Sequence, residues 1–462
     1  MSHLRARTRA PRRALLVSGT VLGLALAAVP AQALTAADVE TGATAGSRSA
    51  DYLSRQLGKD DLVHGEYEYP AGTWNPTTDH GLSLDLVYAF RRLGGHAAEQ
   101  RAILDAMAGQ ADAYTGQGAY AGPLGKLVQV AVSAGRDIDS YAGGKLDDEL
   151  RDRVVTGASS EHGRAKDRVD PTDQYSADYS NTIGQAFVVR AFAALHDGLL
   201  DDTTAFLLQQ QCAAGWFREG MDGADHTCDG APEAQRSPSV DATAHGIRAL
   251  LAARAAGVKG LTDDIDDAVS WLVRRQRIDG SFVGNGVANA NSTGLAAYAL
   301  ASTGHPGPAG TAAAWVRRHQ VDGLTIKQHP RLKGYNGSVA YSDTDLADGK
   351  KDGVSRGAKR TWQRAAAEGA LALPSLLPRR TLGFVAPDRA PRGSRVTVTI
   401  RGLKPGERWA VRQAGVVLAQ GRVPATGRVV AQVRMPDRRA RVTLRAVGSR
   451  VSRTATQAVT LR

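Results

Sequence analysis

Cysteine is scarce in this chain: 462 residues carry two, Cys212 and Cys228. Two thiolates do not complete a structural zinc site. Cys212, His226 and Cys228 would still need a fourth ligand, and no ligand cluster supplies one. Long apolar runs are also missing after the first 30 residues, so no second candidate membrane span follows. The chain contains no His-Glu-x-x-His and no glycine-rich phosphate loop. Aromatics are thin toward the end: Phe384 and Trp409 alone follow residue 376. Nucleic acid is therefore not expected as a partner, because single strands need stacking platforms.

The start of the chain is rich where the rest is poor. Arg5, Arg7, Arg9, Arg12 and Arg13 precede an apolar run from Ala14 to Ala28, and Ala31-Gln32-Ala33 follows. This predicts an export signal over 1–33, cleaved after Ala33, rather than a membrane anchor. Arg12-Arg13 leaves the general secretory and twin-arginine routes both open. In an exported chain, Cys212 and Cys228 are expected to form one disulfide.

Charge divides the rest. From Arg379 onward stand 19 Lys/Arg and three acids, while 34–378 holds 34 basic and 43 acidic residues. An acidic body thus carries a basic tail domain.

Between 34 and 376 the pattern is helical, rich in Ala and Leu and punctuated by glycine. "TDDIDDAVSWLVRRQR" (262–277) is the clearest helix. Thr262 is placed to cap it, acids open it and arginines close it. Ile265, Ala268, Val269, Leu272 and Val273 form its apolar stripe. "FLLQQQCAAGWF" (206–217) and "WLVRRQRIDGSF" (271–282) share a Gln-x3-Gly-x-Phe template, and "WVRRHQVDG" (315–323) is a shortened copy. A second kind of helix alternates with these, starting at Asp79, Asn181, Asp241 and Asn291, with less clear members near Gly122 and Arg356. Six helical pairs must stack, since a pair cannot bury both faces alone.

The template resembles the repeat of the prenyltransferase and squalene cyclase superfamily. That resemblance implies an α/α toroid of about six hairpins around a central cavity. It covers about three quarters of the chain and bears on fold more than on activity. Relatives of this outline include class II terpene cyclases, prenyltransferase β subunits and secreted cobalamin binders. The zinc site of prenyltransferases is not expected, because no free cysteine is suitably placed.

Class II cyclases protonate an alkene with the Asp of Asp-x-Asp-Asp-Thr-Ala or Asp-Cys-Thr-Ala. Ser239-Val240-Asp241-Ala242-Thr243-Ala244 matches at Asp241, Thr243 and Ala244 and lacks the flanking acids or cysteine. Asp241 is thus a candidate proton donor by resemblance. The residue pattern favours a helix cap, repeated at Asp79, Asn181, Asp241 and Asn291. Those four are the candidate ligand-binding residues, rimming a mouth toward which inner-helix dipoles point. "DTDLADGKKDG" (343–353) is read as a solvated loop rather than a calcium site.

After 376 the period changes to two. "RVTVTIRGL" (395–403), "RVVAQVRM" (428–435) and "ARVTLRAV" (440–447) alternate, with turns at 391–393, 404–406 and 425–427. This predicts an immunoglobulin-like β-sandwich over 377–462. Its arginines suit an anionic cell-wall or membrane surface, or else a solvated spacer. The sequence as a whole predicts a secreted toroid that binds a small or amphiphilic ligand, cobalamin-like or isoprenoid, without a resident cofactor or metal. A terpene cyclase-like or polysaccharide-acting enzyme and an adhesive surface protein are the alternatives.

Overall fold

The computed structural model describes residues 41–221, 227–376, 382–403, 405–414, 416–438, 440–448 and 454–462. The expected export signal, its cleavage point and His226 lie outside the described residues. Twelve helices form the two layers of the first part: α1 (Gly42–Ser54), α2 (His80–Leu93), α3 (Ala97–Gly109), α4 (Ala121–Ser133), α5 (Leu146–Arg151), α6 (Thr182–Leu195), α7 (Leu200–Gln209), α8 (Val240–Ala256), α9 (Thr262–Arg275), α10 (Ala290–Ser302), α11 (Pro306–His319) and α12 (Lys359–Ala370). Each even-numbered helix packs on the next, and α12 packs back on α2, so an inner ring closes. The odd-numbered helices pack outside it. This is an α/α toroid.

Composition explains the layers. Inner helices are apolar nearly all round: in α6 Ala186, Val188, Val189, Ala191 and Phe192 are all buried. Such a helix needs cover on every side. Outer helices carry one stripe: α9 buries Ile265, Ala268, Val269, Trp271 and Leu272. Val273, expected in that stripe, is exposed, and Trp271 takes its place. Thr262 makes no capping bond; it is already the first helical residue.

The repeat template has a physical reason. Gln211 Nε2 donates to Gly215 O (3.1 Å) and to Asp264 O of the next outer helix (2.8 Å). Gln276 does the same toward Gly280 O (3.1 Å) and Pro308 O (2.9 Å). Gly280 has φ +97°, and a Cβ there would lie 2.2 Å from Thr311 O. Only glycine permits both the left-handed turn and that approach. The shortened copy completes the circle: Gln320 Nε2 donates to Ala45 O (2.8 Å) and Ser49 Oγ (2.7 Å) of α1.

Two expectations about loops are settled differently. Cys212 and Cys228 form a disulfide, Cα atoms 5.0 Å apart. Residues 343–352, expected as a solvated loop, form a helix. Ser342 caps it by accepting the Asp345 N–H at 3.2 Å, so Asp343 and Asp345 sit in its first turn, where the helix dipole favours acids. Among the described residues no helix is long and apolar enough to cross a membrane.

The second part consists of strands β1 (Gly383–Val385), β2 (Arg389–Ala390), β3 (Arg395–Arg401), β4 (Arg408–Gln413), β5 (Val416–Arg422), β6 (Arg428–Arg434), β7 (Arg441–Gly448) and β8 (Thr454–Leu461). One sheet runs β5-β4-β7-β8-β2, the other β6-β3-β1. Val396, Val398, Ile400, Val429, Val433, Val442, Leu444 and Ala446 form a core from both sheets. This is a β-sandwich of immunoglobulin-like order.

Candidate functional site

Helix α8 is capped by Ser239, whose Oγ accepts the Ala242 N–H at 3.1 Å. Asn289 caps α10, accepting the Ser292 N–H at 2.8 Å. The expected caps at Asp241 and Asn291 are therefore corrected by two residues. A cap needs non-helical backbone; Ser239 and Asn289 are extended, whereas Asp241 and Asn291 already lie inside their helices. Asp79 and Asn181 do cap α2 and α6, accepting from Leu82 (3.0 Å) and Gly184 (2.9 Å). Asp79 is also held by Arg360 Nε (2.9 Å) and Arg364 Nη2 (2.8 Å). Burial alone would raise its carboxyl; Arg364, the Leu82 N–H and Arg360 outweigh that and hold it below the ordinary range.

The threonine of Asp-Ala-Thr-Ala has a structural role. Thr243 Oγ1 accepts the Phe217 N–H (3.0 Å) and donates to Ser239 O (2.6 Å). Thr293 repeats this with Phe282 (3.0 Å) and Asn289 (2.6 Å). These bonds fasten an inner helix to the turn before it. They account for Thr243 and leave Asp241 unexplained: among the described residues its Oδ1 has no hydrogen-bond partner.

Where Asp241 lies follows from the inner helices' polar stripes. Asp85, Tyr88 and Arg92 in α2 recur at steps of three and four, as do Lys126, Gln129 and Ser133 in α4. Phe187 and Arg190 in α6, Asp241, His245 and Arg248 in α8, Asn291 and Tyr298 in α10, and Arg364 and Glu368 in α12 continue the pattern. Side chains from helices that are not neighbours in the ring meet. Arg248 of α8 lies 5.6 Å from the ring centre of Tyr88 on α2, directly opposite, and 4.2 Å from that of Tyr298. Arg190 lies 5.1 Å from Tyr88 and 5.5 Å from Phe187. Tyr88 and Phe187 stack at 6.3 Å, and the Tyr88 hydroxyl donates to Gln129 Oε1. Such contacts place these groups on the axis of the toroid. The sequence signal was present as polar residues every third or fourth position in Ala-rich helices.

Charge separates within this interior. Lys126 Nζ donates to Asp85 Oδ1 (2.6 Å) and Gly81 O (2.9 Å). Burial would depress that ammonium, and Asp85 outweighs it, so Lys126 stays charged. Burial, then Asp85 and Asp241, push the Glu368 carboxyl up to about 8. Burial raises Asp241 to about 6, with Ser292 opposing and Glu219 adding. His245 is held neutral by burial and by Arg248, Arg190 and Lys126. Burial, then Arg190, push Arg248 down to about 10. Among the described residues no cluster of His, Cys, Asp or Glu could hold a metal ion.

A pocket of about 500 Å3 opens where the inner helices end, lined by Gln129, Ser133, Arg190, Arg248, Tyr298 and Ser302 with alanines between them. Asp79, Asn181, Asp241 and Asn291 do not line it: it lies at the opposite end of the inner helices from the expected rim.

No protein-family model matches the chain, and no curated protein does. Among solved structures it is similar to the type II terpene cyclase MstE from Scytonema, 13% identical over 72% of this chain and 97% of that one, TM-score 0.49. It is also similar to the GH76A alpha-1,6-mannanase from Salegentibacter sp. HEL1_6, 9% identical over 72% and 98%, TM-score 0.46. Neither likeness carries a function, which must be argued from the site.

Proposed function

We propose that the toroid binds a small, amphiphilic ligand in its interior. The observation that carries this is a set of buried polar atoms unpaired within the protein, on three consecutive inner helices: Arg190 Nη1, Asp241 Oδ1, His245 Nδ1 and Asn291 Oδ1. Each such atom costs about 1–3 kcal/mol if left unsatisfied. Four along one interior, with Arg190 lining the 500 Å3 pocket at one end of it, fit a chamber whose polar groups are kept for a guest. Tyr88, Phe187 and Tyr298 supply flat apolar faces for the rest of that guest.

A second reading rests on the acids. Glu368 and Asp241 have carboxyls raised toward neutrality, which suits a general acid acting on a bound isoprenoid or sugar. Native mass spectrometry of the mature protein with cobalamins, polyprenols and squalene separates the two. A binder retains an unmodified adduct. An enzyme changes the mass, and Asp241→Asn then keeps the adduct and loses conversion. No adduct and no conversion would sink both readings for these ligand classes.

We further propose export of the chain and attachment through the sandwich to an anionic polymer. Cross-strand neighbours Arg395 and Arg434, Arg401 and Arg428, and Arg408 and Arg422 face one another as like charges. Such pairs are destabilising by roughly 0.2–1 kcal/mol each, and a polyanion would reverse the sign. Binding of the sandwich to a phosphate polymer is expected to fall steeply between about 50 and 500 mM salt; salt-independent binding would contradict the charge account.

A further inference from the structure

Arg190 is a buried cation and Arg248 a half-buried one, and among the described residues neither has a carboxylate partner. Arg190 is 6% exposed, and among the described residues neither guanidinium is in an ion pair. Among the described residues Arg190 Nη1 has no hydrogen-bond partner. Their neighbours are more cations and aromatic rings. Lys126 is neutralised by Asp85 at 2.6 Å. Arg92 is satisfied by Leu371 O (3.3 Å) and Ser375 Oγ (3.2 Å). His245 is held neutral, and among the described residues no acid stands with either arginine. An uncompensated buried charge costs several kcal/mol.

Two structural explanations fall short. Helix C-termini favour cations, but only within the last turn; Arg190 is five residues before the end of α6 and Arg248 eight before the end of α8. Cation–π contact with Tyr88, Phe187 and Tyr298 helps by about 1–2 kcal/mol per pair, yet leaves Arg190 Nη1 unsatisfied. Both arginines line the 500 Å3 pocket, whose remaining wall is mostly alanine and leucine of α6 and α8.

We propose that Arg190 and Arg248 form an anion-binding subsite that takes a carboxylate or phosphate group of the ligand, the apolar remainder lying against the alanine wall. Two guanidinium forks converging on one pocket match the planar, bidentate recognition of such groups. This rests on the reading of the interior as a ligand chamber and adds the charge of the ligand to it.

The test is calorimetric titration of the mature protein with four probes below their micelle concentrations: dodecanoate, dodecyl phosphate, dodecanol and dodecyltrimethylammonium. At least one anion is expected to bind ten or more times more tightly than dodecanol, and the cation not at all; the stronger anion identifies carboxylate or phosphate as the group recognised. Arg190→Met and Arg248→Met are each expected to weaken the anion at least tenfold and leave dodecanol within twofold. Their ligand-free Tm is expected to stay level or rise, because an unpaired charge is removed that is buried at Arg190 and half-buried at Arg248. A fall of several degrees with unchanged anion affinity would make these arginines structural and overturn the subsite. Equal binding of anion and alcohol by the unaltered protein would overturn it too, while leaving the chamber standing. If no probe binds, the chamber reading fails with it.

Discussion

Glu368→Gln is expected to remove much of the protein's loss of stability at alkaline pH. The folded-state carboxyl sits at about 8 against an ordinary 4.5. The folded protein therefore holds a proton that the unfolded chain releases between those values. Stability from this group is fully present below about pH 4.5 and is lost as pH rises through about 8. Each pH unit between the two values is worth about 1.4 kcal/mol, so the whole effect is on the order of 5 kcal/mol, or several degrees of Tm for a domain of this size. Glutamine mimics the protonated acid. The two proteins should melt together at about pH 5 and diverge toward about pH 9, the variant being the more stable. His245 acts in the opposite sense at acid pH, its folded form being neutral, but it is common to both and cancels in the difference. Parallel melting curves across that range would show that Glu368 is not kept protonated by the fold.

The second large effect is expected at the seam of the ring. Gln320 is 2% exposed and ties the last outer helix to the first: its Nε2 donates to Ala45 O and Ser49 Oγ, and its Oε1 accepts from Arg48 Nη1 at 3.0 Å. These partners are more than 270 residues away in the chain. Gln320→Ala leaves buried groups unsatisfied on both sides and should cost about 2–4 kcal/mol. Hydrogen exchange should rise in α1 and α11 together, because the two share the seam. Gln276→Ala removes equivalent bonds between adjacent repeats, and its increase should stay near α9 and α11. If Gln320→Ala raised exchange only around residue 320, the seam would not be what holds the ring closed.

The fold was largely legible because its signals are local. The 3.6-residue stripe of α9, the Gln-x3-Gly-x-Phe turns and the period of two after residue 376 each lie within a dozen or so residues. The cap positions were less so. Ser239 and Asp241 are both good capping types, as are Asn289 and Asn291, and only backbone conformation chooses between them. Once Ser239 and Asn289 take the caps, Asp79, Asn181, Asp241 and Asn291 are no longer one repeated feature. With that repetition gone nothing makes Asp241 a cap, and its unpaired carboxyl oxygen becomes part of the interior. That interior was the least legible element. Tyr88, Arg190, Arg248 and Tyr298 come from four helices spread over more than 200 residues, and nothing local marks that they meet on one axis.

The central claim, that the interior is a ligand chamber reached through the pocket at the inner-helix ends, is tested most directly by filling that pocket. Ala194 and Ala252 line it. Native mass spectra of the mature protein and of Ala194→Trp/Ala252→Trp, taken with the same ligand mixture, should show a retained adduct in the first and none in the second, with Tm preserved. An adduct of equal intensity in both would place the bound molecule elsewhere and contradict the account.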